Sequence, residues 1–218
     1  MTFSLIGRCT RTGQIGAAVT TSSIAVGARC AYCAAGVGAV LTQHRTDPRL
    51  GPRGLELLRS GCTAQQTLDA LVASTQFAHW RQLAVMDVAG NTAAFSGSRT
   101  KPEMSAAPAQ DVCAIGNILS NARVPAAMLH GFQADPTMPL AERLLHALDE
   151  GLAAGGENDP VRSACLMVVE RESFPLVDLR VDWHDEPIGE LRALWNRYAP
   201  QTNDYLLRAV NPDHPSII

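Results

Sequence analysis

The sequence predicts an α+β fold, a four-layer α/β/β/α sandwich with helices on both outer faces of a mainly antiparallel double sheet. Two observations lead there. Short apolar or alternating runs come in groups, and pairs of amphipathic helical segments fall between the groups. At 218 residues the chain is long enough to bury a sizeable core, and it divides into one domain over 1–200 and a C-terminal extension over 201–218.

Residues 3–6 and 15–20 are apolar runs joined through Thr12-Gly13, the pattern of a strand, a turn and a strand. "GVGAVLTQ" hardly alternates and reads as a strand buried on both faces. In "TDPRLGPRGLELLRSG", Pro52 sits where a helix can begin, Leu55, Leu57 and Leu58 form an apolar face, and Gly61 ends it. Thr63 with Gln66 predicts a capping box for a second helix carrying Leu68, Leu71 and Val72. "RQLAVMDVAGNTAAFSGS" returns to period two, with the turn at 89–91. "DVCAIGNIL" adds a strand ending in Gly-Asn. "NARVPAAMLHGFQAD" and "PLAERLLHALDEGLAAGG" read as helices, the second with Leu140, Leu144, Leu145 and Leu148 on one face. "SACLMVVERE" and "LVDLRVDW" are strands, "PIGELRALWNRYAP" a last helix, and "NPDHPSII" a loose tail.

Composition excludes several classes of function. Net charge is −3 and no basic run reaches five residues, so phosphate neutralisation has little to work with and no nucleic-acid partner is expected. No apolar stretch approaches the roughly 18 residues a bilayer span needs, and no charged-then-apolar leader opens the sequence. A soluble, cytoplasmic protein without a membrane partner is expected. Cys9, Cys30, Cys33, Cys62, Cys113 and Cys165 sit mostly among small apolar residues, as reduced core thiols do. Cys30 and Cys33 form a CxxC without a second pair or nearby histidines, so no metal site and no cofactor are expected.

"MTFSL", "AVGA", "GVGAVLTQ", "DPRLGPRGLELL", "GNIL", "PLAERLLHALDEGLAAGG" and "VDLRVDWHDEPIGELRAL" occur in an order that resembles the family catalogued as domain of unknown function 1028, over about residues 2–198. That family in turn resembles the N-terminal-nucleophile (Ntn) hydrolases. In those enzymes a Thr, Ser or Cys heads the first strand, its side chain attacks an amide carbonyl and its own α-amine takes the proton. An α-amine titrates near 7.7–8.0, close to working pH, which suits it as a base for a hydroxyl that is a poor nucleophile alone. The resemblance implies Thr2 as nucleophile once Met1, which precedes a small residue, is removed.

Other residues are candidates beside it. Asn117, at a strand end after Gly116, offers an amide N–H to an oxyanion. Ser22 or Ser23, at the end of the second strand, could hydrogen-bond nucleophile or substrate; such hydroxyls equally form turns. Gln43, His44, Asp47 and Arg53 belong to a polar cluster directly after a buried strand, with His44 as a second base and Arg53 set against the helix dipole unless it meets a carboxylate. Asp178, Arg180 and Asp182 share one strand face and read as an ion network, an interface or a substrate clamp. "GGENDPVRSA" departs from the family pattern, so no role is carried over to Asp159, Arg162 or Ser163.

Three readings follow. The first is hydrolysis of a small amide or ureido carbon–nitrogen bond by Thr2, with a small-molecule substrate and a homodimer or higher homo-oligomer as the assembly. The second is a non-catalytic protein of the same fold that binds a small metabolite or builds an oligomer. The third is a thiol enzyme using Cys30 or Cys33.

Overall fold

A computed structural model of the chain describes residues 1–214; the last four residues of the "NPDHPSII" tail lie outside them. The first hairpin pairs β1 (Thr2–Arg8) with β2 (Ile15–Thr21), Phe3 opposite Thr20, around Gly13 at φ 76°. β1 is flanked on its other side by β8 (Val112–Asn117), which places Asn117 opposite Thr2. β7 (Met104–Ala109), β9 (Ser163–Val169) and β10 (Val177–Val181) complete a six-stranded sheet in the order β10-β9-β2-β1-β8-β7. The second sheet runs β3-β4-β5-β6, from β3 (Ala31–Ala34), β4 (Gly38–His44), β5 (Arg81–Asp87) and β6 (Thr92–Ser96). Both sheets are antiparallel throughout.

Strand alternation sorts the side chains into three buried clusters. Phe3, Leu5 and Ala18 face α3 (Val124–Gln133), α4 (Leu140–Ala153) and α5 (Pro187–Tyr198), where Phe132, Leu144, Leu148 and Leu191 meet them. Ile6, Val19, Leu41, Met86 and Ile115 fill the space between the sheets. Val40, Leu83 and Val85 pack under α1 (Leu50–Arg59) and α2 (Ala64–Ser74) against Leu58, Leu68 and Leu71. The four leucines predicted on one face of α4 are all buried, each worth about 1.5–3 kcal/mol relative to exposure. Gly7 is glycine because α3 sits close: a Cβ there would lie 2.4 Å from the Phe132 ring.

The Thr63–Gln66 capping box forms as expected, with the Gln66 N–H donating to Thr63 Oγ1 at 3.2 Å and the Thr63 N–H to Gln66 Oε1 at 2.9 Å. Three elements exceed the sequence reading. β3 is four residues long, β7 is an edge strand of small residues interrupted by Pro108, and α6 (Thr202–Val210) buries none of its residues fully. Among the described residues no helix is long and apolar enough to cross a membrane.

Candidate functional site

Alternation along β1 turns Thr2 and Ser4 toward the space between the sheets, and the same face of the neighbouring strands brings Gln43, Gln82 and Asn117 to that end of it. These side chains form one buried network. Ser4 Oγ donates to Gln43 Oε1 at 2.6 Å, and Gln43 Nε2 donates to Gln82 Oε1 at 2.7 Å. Asn117 Nδ2 donates to the same Gln82 oxygen at 3.0 Å, while Gln82 Nε2 reaches the Gly116 carbonyl at 2.8 Å and Ser96 Oγ at 2.9 Å. The network fixes the floor beneath Thr2, because a buried amide left without partners is costly.

Above this floor lies a cavity of about 250 Å³. Met1 and Thr2 form one wall, and Arg29 and Cys30, just before β3, form another. His44, Arg45 and Thr46 come from the end of β4, and Ile118 from the residue after β8. Two of these residues are held in the left-handed region, His44 at φ 73° and Ile118 at φ 52°. For a β-branched residue that conformation is a true outlier, costing about 1–3 kcal/mol, and such strain clusters at functional sites. Two larger hollows, of about 360 and 340 Å³, lie between residues 170–176 and α6 and contain none of the residues singled out from the sequence, whereas a third, of about 320 Å³ outside α1, is lined by Asp47 and Arg53.

Thr2 is 5% exposed, and its hydroxyl contacts the Met1 carbonyl oxygen and lies 3.3 Å from Thr21 Oγ1. The Thr21 hydroxyl donates to that same carbonyl at 2.5 Å. Burial lowers the basicity of the Met1 α-amine below its usual value, while Glu157 and Asp159 pull it back up. Glu157 is itself buried and pushed up to about 7, chiefly by desolvation; the Met1 ammonium and the Ser22 N–H, which donates to Glu157 Oε2 at 3.1 Å, act the other way. His44 Nδ1 faces the Trp80 carbonyl at 2.9 Å, which assigns the proton to Nδ1 and leaves Nε2 as an acceptor. Burial first, then the Met1 ammonium, Arg45 and Arg81, hold that imidazole below its usual pKa and neutral. Desolvation raises the Cys30 thiol, opposite to what a reactive cysteine needs.

The residues predicted from sequence divide between this site and other places. Thr2 and His44 line the cavity, and Ser22 sits beside it with its backbone on Glu157. Asn117 is adjacent to Thr2, but its amide is given to Gln82 below and does not line the cavity. Gln43 is a member of the buried network. Asp47 and Arg53 line a separate hollow outside α1, where Asp47 grips Arg49 through two bonds of 2.8 Å. Asp178 pairs with Arg180 at 2.9 Å on edge strand β10, three strands from β1, and Asp182 is exposed and meets Ala25 through its backbone carbonyl. The Asp178–Arg180 pair is about one-third exposed, so it is a surface ion pair worth about 0–1 kcal/mol and no clamp on this cavity. Glu157, Thr21, Arg29 and Gln82 were not predicted as site residues, and Cys30 was named only as the nucleophile of a thiol reading. Glu157 follows Gly155-Gly156 in a loop with no pattern of its own, whereas Gln82 was findable as a polar residue in an otherwise apolar buried strand.

The model of a family of unknown function (DUF1028) matches residues 2–191. The chain belongs to the DUF1028 family. A crystal structure of a DUF1028 protein from Silicibacter pomeroyi is 32% identical, with a TM-score of 0.84 over 91% of this chain and 89% of that one. Anbu (ancestral β-subunit) from Yersinia bercovieri aligns over 91% of this chain and 95% of its own at 11% identity and a TM-score of 0.39, too low to carry an argument. No curated protein matches this DUF1028 sequence.

Proposed function

We propose that this DUF1028 protein is an Ntn-type hydrolase of a small amide or ureido carbon–nitrogen bond, acting through Thr2 after Met1 is removed. The observation that carries the reading is the setting of Thr2: it heads a central strand, and its hydroxyl opens into a small cavity at the end of the space between two helix-covered sheets. Removal of Met1 frees the Thr2 α-amine next to the Thr2 hydroxyl. The amine takes the hydroxyl proton as Oγ1 attacks the substrate carbonyl carbon, then returns it to the departing nitrogen; water hydrolyses the resulting ester by the same route.

With Met1 in place, its carbonyl oxygen rests against Thr2 Oγ1. That oxygen is held by the Thr21 hydroxyl, so Thr21 rather than Asn117 is the side chain set to stabilise the oxyanion. With Met1 in place, Glu157 raises the basicity of the Met1 α-amine from beside the cavity. The test is turnover of a panel of small amides and ureido acids by protein lacking Met1. Activity should vanish in Thr2→Ala and persist in part in Thr2→Ser, with an unchanged thermal midpoint in both; full activity in Thr2→Ala overturns the reading.

A further inference from the structure

We propose that the cavity in front of Thr2 selects small molecules bearing a carboxylate, which Arg29 and Arg45 recognise; as a statement about substrate, this rests on the hydrolase reading above. Neither arginine has a carboxylate partner among the described residues. Arg29 gives Nη1 to the Ile24 and Ala25 carbonyls, at 2.5 and 2.7 Å, and Nη2 to Ser23 Oγ at 2.6 Å, all neutral acceptors. The Arg45 guanidinium lies 5.5 Å over the Trp80 ring, which supports a cation without neutralising it. Asp47, close in sequence, is occupied by Arg49 and lies 3.9 Å from Arg81.

The electrostatic neighbours of the cavity's own groups tell the same story. His44 feels Arg45 and Arg81, and Cys30 feels Arg29, cations that remain when Met1 is removed. The acids on the other side are Glu157, which burial holds largely protonated up to about pH 7, and Asp159. A small cavity whose wall carries two guanidiniums that no carboxylate pairs favours an anionic ligand, and the planar fork of arginine matches a carboxylate. With Met1 as one wall the space is about 250 Å³, and the loss of that residue adds its volume, room for a small acylamino or ureido acid.

The test is titration calorimetry on Thr2→Ala protein lacking Met1, with N-acetylglycine and N-carbamoyl-β-alanine each compared with its carboxamide, and inorganic phosphate alongside. The acids should bind about tenfold or more tightly than their amides. Arg45→Gln should erase the preference and Arg45→Lys retain part of it; Arg29→Gln should weaken it too, although Arg29 also ties down residues 23–25. Equal binding of acid and amide, no binding by any acid, tighter binding of phosphate, or a preference that survives Arg45→Gln overturns the proposal. Acid preference without turnover in the Thr2 protein keeps the binding assignment and fails the hydrolase reading. Turnover indifferent to the carboxylate does the reverse.

Discussion

The Thr21 hydroxyl donates to the Met1 carbonyl oxygen at 2.5 Å while lying 3.3 Å from Thr2 Oγ1, so a carbonyl resting against the threonine already has a donor on its oxygen. Thr21 is buried at the end of β2, where the β1–β2 register fixes it beside Thr2. Thr21→Val keeps the shape and removes the donor. kcat should fall by about 100-fold with little change in KM. The unfolding free energy should drop by only about 1 kcal/mol. Steady-state kinetics with a denaturant titration on the same samples checks both.

Glu157 gives a pH signature with a definite sign. Its folded-state pKa, about 7, is above its ordinary value of 4.5, so the folded protein binds the extra proton between those limits. Its contribution to stability is therefore fully present below about pH 4.5 and is lost as pH rises to about 7. The full swing is on the order of 3 kcal/mol. Glu157→Gln should flatten the stability profile across that window and raise stability at pH 8. Urea midpoints at pH 5 and pH 8 for both proteins check it.

Gln82 holds the floor of the site. Gln82→Leu strands the Gln43 and Asn117 donors, and each buried group left unpaired costs about 1–3 kcal/mol. A loss of about 3 kcal/mol or more in unfolding free energy is expected. Ser96→Ala removes one peripheral partner and should cost about 1 kcal/mol or less.

Cys30 separates the threonine account from a thiol one. It is 2% exposed, burial raises its pKa, and Thr46 Oγ1 is 3.7 Å away. Cys30→Ala should leave turnover close to that of the unaltered protein, and iodoacetamide at neutral pH should not abolish activity. Loss of activity on alkylation that Cys30→Ala prevents would identify the thiol as the reactive group.

The fold was most legible where local chemistry and burial agree. The Thr63–Gln66 capping box, the β5–β6 hairpin and the leucine face of α4 each carry their own signal. β7 did not, because "MSAAPA" has small side chains and a proline that only an edge strand tolerates. α6 did not, because its residues are polar enough to stay partly solvated. At the site, Thr2 and His44 were readable from their places at the ends of strands. The rest of its surroundings was not: Thr21 bonds Thr2, Arg29 lines the same cavity and Glu157 holds the Ser22 N–H beside it, three separate segments that only the sheet register and the turn after α4 bring together. Asn117 shows the converse. Its position beside Thr2 was legible, but the direction of its amide is set by Gln82, 35 residues away in sequence.

The central claim is that a free Thr2 amine performs the chemistry, and the intact mass of the protein purified from its own host tests it most directly. The account predicts a mass lower by one methionine residue than that of the chain with Met1 in place. A mass that retains Met1 in protein that is active, or in all the protein its host makes, contradicts it.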